Sequence, residues 1–122
     1  MPGKKKLLIA DDDKILHRMY DDGLGEDYDI LHAYDGADAL TLAVEHIPDV
    51  ILLDIMMPLL DGRTVCRKIR ENARTKDAKV IMVTGRGEQS DRLVGFEVGA
   101  DEYVAKPVSL AYLGRTIRKL LP

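Results

Sequence analysis

Carboxylates, a hydroxyl and an amine stand directly after short apolar runs in this chain. Asp11, Asp12 and Asp13 follow Leu7-Leu8-Ile9-Ala10, Asp54 follows Val50-Ile51-Leu52-Leu53, and Thr84 follows Val80-Ile81-Met82-Val83. Lys106, itself followed by Pro107, comes after Glu102-Tyr103-Val104-Ala105. Carboxylates brought close together raise one another's pKa unless a cation joins them. Lys106 offers one positive charge and a divalent ion would supply more. All-oxygen ligation points to a hard ion, and magnesium characteristically takes one or two carboxylates and leaves room for phosphate oxygen. Zinc is disfavoured, because His17, His32 and Cys66 show no ligand spacing. A carboxylate beside magnesium, flanked by a hydroxyl and an ammonium, is equipped to attack phosphorus, so phosphoryl transfer is the natural reaction class.

For that chemistry to occur, the apolar runs must lie side by side. The first three lack polar alternation, which is the pattern of strands covered on both faces. Tyr28-Asp29-Ile30-Leu31-His32-Ala33 alternates more and Glu102–Ala105 is short, so these two suit the flanks of a sheet. Between the strands lie segments of helical period: Ile15 and Met19; Leu40, Ala43, Val44 and Ile47; Val65 and Ile69; Val94 and Val98; Leu110, Leu113, Ile117 and Leu120. Asp35 and Ser109 read as N-caps, Gly23, Gly25 and Gly99 as stops, and Pro48 as the residue that clears the way for a strand. Strict alternation of strand and helix with right-handed crossovers gives a parallel sheet between two helical layers. The expectation is a single doubly wound α/β domain over residues 1–122, flavodoxin-like, with strand order 2-1-3-4-5. In such sheets ligands sit at the carboxyl ends of the strands, where the acidic residues, Thr84 and Lys106 stand.

Composition closes off several other classes. At 122 residues the chain holds one domain, and 46% hydrophobic residues suffice for its core without metal or disulfide staples. With 18 Lys and Arg against 21 Asp and Glu, the net charge of −3 gives no basic field to draw this segment onto nucleic acid. No apolar run approaches the ~20 residues that span a bilayer, and Lys4-Lys5-Lys6 before four apolar residues makes neither a signal peptide nor an anchor. The lone Cys66 fits a reducing compartment and reads as a small core residue, so the expected location is cytoplasmic.

Taken in order, the acidic pair, Asp54-Ile55-Met56-Met57-Pro58-Leu59-Leu60-Asp61-Gly62, Thr84 and Lys106-Pro107 resemble a response-regulator receiver domain of two-component phosphorelay signalling, over essentially the whole chain. The resemblance implies that Asp54 is the phosphoacceptor, taking a phosphoryl group from a phosphohistidine on a sensor histidine kinase or phosphotransfer protein. It implies Asp12 as a direct magnesium ligand, Asp11 as its water-bridged neighbour, and the backbone carbonyl of Met56 beside Asp54 as the remaining protein ligands. Lys106 pairs with Asp54 at rest and with a phosphoryl oxygen afterwards, and a cis bond to Pro107 is implied. Thr84 and Tyr103 form the switch, with the face built from the fourth helix, fifth strand and fifth helix as the output surface. Asp13 is left to cap the first helix, Asp61 to cap the third, and Pro58 and Met57 to shape and pack the loop after Asp54.

Two departures bear on the phosphoryl lifetime. Gly85 stands where the family usually has alanine, and the variable phosphate-facing positions are Met56 and Arg86. The expected partners are the kinase and either a downstream effector protein or an output domain outside this chain, since 122 residues leave no room for an effector. Phosphorylation-dependent pairing of two copies is compatible with this, and a membrane is not expected as a partner. The protein is expected to phosphorylate and dephosphorylate itself rather than turn over substrate. An aspartate-nucleophile phosphatase of the haloacid dehalogenase kind needs a second aspartate where this chain has Met56. A receiver-like module that only binds protein tends to lose the acidic pair or the lysine, and both are kept here.

Overall fold

The apolar runs become five parallel strands in the computed structural model, which describes residues 3–85 and 99–122. They are β1 (Lys5–Ala10), β2 (Tyr28–Ala33), β3 (Val50–Asp54), β4 (Lys79–Thr84) and β5 (Glu102–Ala105). Their order across the sheet is β2-β1-β3-β4-β5, as the alternation of elements implies. Registers Ala10↔Leu53, Asp54↔Val83 and Thr84↔Ala105 align the carboxyl ends of the four strands that carry chemistry.

Alternation along the strands sorts side chains into two cores. One face buries Leu8, Ile51, Leu53, Val80, Met82 and Tyr103 against α2 (Gly36–His46) and α3 (Gly62–Glu71). The other buries Leu7, Ile9, Leu52, Val83 and Val104 against α1 (Lys14–Leu24) and α4 (Leu110–Leu120). Asp11, Asp54 and Lys106 each lie two residues beyond a member of this second set, so the period of two sends them to the α1/α4 side. Thr84 lies two beyond Met82, on the side of Tyr103.

Asp13, Asp35, Asp61 and Ser109 are the N-caps of the four described helices, each accepting a backbone N–H of the first turn. Gly25 caps α1, whereas Gly23 lies inside that helix rather than ending it. The apolar stripe read from Ile15 and Met19 has the wrong phase. Both are exposed, and α1 buries His17, Tyr20 and Leu24 instead. His17 and Tyr20 satisfy the core with ring area, which a count of aliphatic residues does not register. Ile47 likewise leaves the core: it caps α2 in the left-handed region at φ 49° and is exposed. The helix expected around Val94 and Val98 falls outside the described residues. Gly99, its expected stop, has φ 103°, a conformation that favours glycine.

Candidate functional site

Each polar residue of the site begins where a strand runs out of sheet partners. Asp54 closes β3, and its side chain is almost wholly buried. One carboxylate oxygen, Oδ2, accepts from Lys106 Nζ at 3.0 Å, and Oδ1 accepts the backbone N–H of Met56 at 3.1 Å. Lys106 Nζ also lies 3.5 Å from Asp11 Oδ2, so one ammonium spans two buried carboxylates. The Lys106–Pro107 bond is cis, as the resemblance implied.

Asp11 extends the sheet, its N–H donating to the Ala33 carbonyl, and its Oδ1 accepts from the Asp13 N–H at 2.8 Å. Asp13 turns away to cap α1 through Ile15 N–H. Asp12 is left facing solvent at the mouth of the pocket. Ligand oxygens of Asp11, Asp12 and Asp54 all lie within 4.8 Å of one another. Among the described residues the converging group holds only carboxylates, two buried and one exposed, which fit a hard divalent cation with part of its shell open to solvent. Asp13, the third member of the acidic run, is not among them.

Electrostatics follow burial. Desolvation raises the pKa of Asp54, and the Asp11 charge adds to the rise, while the Lys106 hydrogen bond and the Met56 amide oppose it. Burial pulls on Lys106 in the other direction, yet its hydrogen bond to Asp54 and the charges of Asp54 and Asp11 leave its pKa raised. The ammonium therefore stays charged where anionic oxygens converge.

The loop after Asp54 is held by its own backbone. The Pro58 carbonyl accepts from the N–H groups of Gly36 and Leu60, and the Gly62 N–H returns to the Ile55 carbonyl at 2.8 Å. Leu59 adopts φ 71° in this loop. Met57 packs into the core, whereas Met56 is 63% exposed beside the acidic cluster. Thr84 is buried at the end of β4 and lines one cleft with Tyr103, Ala105 and Pro107. Tyr103 is itself buried, in the inward position. Gly85 is half-buried beside Thr84, and Arg86 lies outside the described residues.

Three residues around the pocket carried no signal in the sequence. Tyr20 is buried on the α1 side, and its hydroxyl pKa is raised by burial first and then by the charges of Asp11 and Asp54. His17 Nε2 meets the Asp11 carbonyl at 2.7 Å, and His17 Nδ1 meets His32 Nδ1 at 2.6 Å. Only the adjacency of β1 and β2, which sets His32 beside Ile9, could have brought the two histidines together.

Residues 7–118 match the family described as "Response regulator receiver domain". A protein of Guillardia theta named "Probable transcriptional regulator ycf27" is 43% identical over 119 residues, covering 97% of this chain and 46% of the relative. The "DNA-binding dual master transcriptional regulator RpaA" of Synechocystis sp. is 39% identical over 117 residues, covering 95% of this chain and 48% of the relative. The chain thus spans about half the length of the curated relatives it matches. Among solved structures, the receiver domain of sensor histidine kinase PA1611 from Pseudomonas aeruginosa PAO1 superimposes with a TM-score of 0.88 at 27% identity, covering 97% of this chain and 98% of that one. That receiver domain has a magnesium ion coordinated in its active site cleft. A match running from β1 into α4, joined to an acidic cluster at the carboxyl edge of a 2-1-3-4-5 sheet, places the chain in the response regulator receiver domain family.

Proposed function

We propose that this chain, as one receiver unit, accepts a phosphoryl group on Asp54 from a phosphohistidine of a sensor histidine kinase or phosphotransfer protein. The observation that carries this reading is the buried Asp54 carboxylate, held 3.0 Å from the Lys106 ammonium and within 4.8 Å of the Asp11 and Asp12 oxygens. An oxygen of Asp54 attacks phosphorus, the P–N bond to the donor imidazole breaks, and that imidazole leaves with the bonding pair. Lys106 then moves its contact from the carboxylate to a phosphoryl oxygen, placing positive charge where it is needed.

Asp12 and Asp54 would hold magnesium directly, Asp11 through water and Met56 through its backbone carbonyl. When bound, magnesium supplies the charge that lets three carboxylates and a phosphoryl oxygen share one pocket. Thr84 donates its hydroxyl to the new phosphoryl group, which adds about −1.5 to −2 charge and three acceptor oxygens. Its movement frees room beside Tyr103, biasing the face that β5 and α4 present. Met56, Gly85 and Arg86 tune how long the phosphoryl group survives. The resemblance to transcriptional regulators about twice as long supports a DNA-binding output module or an effector protein as the reader of that face, and phosphorylation-dependent pairing of two copies as its means. The reading also implies a cytoplasmic location and no turnover of substrate. Among the described residues no helix is long and apolar enough to cross a membrane.

Intact-mass spectrometry after incubation with acetyl phosphate tests the assignment. The expected result is one added phosphoryl group in the presence of magnesium, lost in chelator and lost in Asp54→Asn. An unchanged wild-type mass, or an equal gain in Asp54→Asn, would overturn it.

A further inference from the structure

A row of hydrogen bonds runs from solvent to the base of the acidic turn. Asp21 Oδ1, at the exposed end, lies 3.0 Å from His32 Nε2; His32 Nδ1 lies 2.6 Å from His17 Nδ1; and His17 Nε2 lies 2.7 Å from the backbone carbonyl of Asp11. The two ends fix the protons between them. A carbonyl oxygen only accepts, so His17 must donate from Nε2, and a carboxylate only accepts, so His32 must donate from Nε2. The contact between the two Nδ1 atoms completes the row.

Tyr34 locks the arrangement from above. Its ring packs on His17 with centroids 4.4 Å apart and lies nearly parallel to His32 at 6.5 Å, while Lys14 Nζ sits 5.8 Å over its face. Burial lowers the His17 pKa, opposed by its bond to the Asp11 carbonyl. His17 itself is almost wholly buried.

The group at the inner end is the peptide linking Asp11 to Asp12. Its orientation decides where both carboxylates point, because Asp11 N–H is already fixed on Ala33 and Asp11 Oδ1 on Asp13 N–H. We propose that His17, aligned by His32 and Asp21, is a positioning residue that holds the Asp11–Asp12 peptide so that both carboxylates face Asp54. This rests on the acidic cluster being the cation site. Partners behind ligating groups typically cost 10–100-fold in metal affinity when removed.

Magnesium titration by calorimetry, together with long-range 1H–15N NMR of the imidazoles, tests the idea. His17→Phe keeps a ring against Tyr34 but removes the donor, and is expected to weaken magnesium binding about tenfold. His17→Gln, whose amide can donate to the Asp11 carbonyl, is expected to recover much of that loss. Asp21→Ala, at a solvent-exposed position far less prone to unfolding, is expected to weaken binding in the same direction by less. NMR is expected to show His17 protonated at Nε2 and hydrogen-bonded. Wild-type affinity in His17→Phe or Asp21→Ala, or a His17 ring protonated at Nδ1 alone, overturns the proposal. Failure of the wild-type protein to bind magnesium overturns the cation-site reading instead, and the NMR result still decides whether His17 holds the Asp11 carbonyl.

Discussion

Asp54 carries a cost in the resting protein. Its pKa is raised above the ordinary 3.8, chiefly by burial, so the native state holds its proton more tightly than the unfolded chain does. Linkage then makes the ionised carboxylate destabilising, by an amount that grows as pH rises from the ordinary value through the raised one and stays constant above it. Asp54→Asn removes that charge at nearly constant volume. In chelator near neutral pH, its melting temperature is expected to exceed that of wild type by a few degrees. The gain should shrink on acidification and vanish below the ordinary carboxylate pKa. Thermal unfolding followed by circular dichroism across pH measures this, and a gain independent of pH would show that desolvation is not its source. At this scale Asp54, Asp11, Asp12, Thr84 and Lys106 were legible because strand ends deliver them. His17 and His32 were not, because their contact depends on which strands are neighbours and on a helix phase that aliphatic spacing misreads.

The start of α3 lies hard against the end of β3. A Cβ placed on Gly62 would clash with the Asp54 carbonyl oxygen and lie 2.8 Å from the Ile55 Cα, both backbone atoms that cannot swing aside. Gly62→Ala is therefore expected to cost about 1–3 kcal/mol by overpacking, read as a lower urea midpoint. It should also impair phosphorylation, since relief of the clash moves the backbone that carries Asp54. A midpoint equal to wild type would mean that the helix start yields more easily than this packing allows. All five strands were legible from apolar runs, alternation and flanking turn residues, and the four N-caps from a single Asp or Ser before each helical period. Arg70 was not. Its guanidinium bonds to the Gly99 carbonyl at 2.9 Å and to Asp101 at 2.8 Å, tying α3 to the entry of β5 through partners about thirty residues away. Nothing local marks such a residue as anything but a solvated helix arginine.

Across the whole molecule, Cys66 reports on the integrity of the core. It lies fully buried between α3 and the sheet, and burial pushes its thiol pKa up to about 11. Alkylation needs the thiolate and access, so the folded protein should react with iodoacetamide far more slowly than the unfolded chain under mildly alkaline conditions. Its rate against urea, followed by mass spectrometry, is expected to track the global unfolding transition. Rapid labelling in native buffer would reveal an opening of the α3 layer well below the global barrier. The order of the sheet has a consequence for a chain still being made. The Lys106–Asp54 contact joins residues 52 apart, and every pair of neighbouring strands is parallel, so no member of the pocket is assembled by a local hairpin. All the acids emerge from the ribosome before the amine does. A copy halted short of its fifth strand is therefore mute, and competence to receive a signal arrives in one step with the last stretch of sheet.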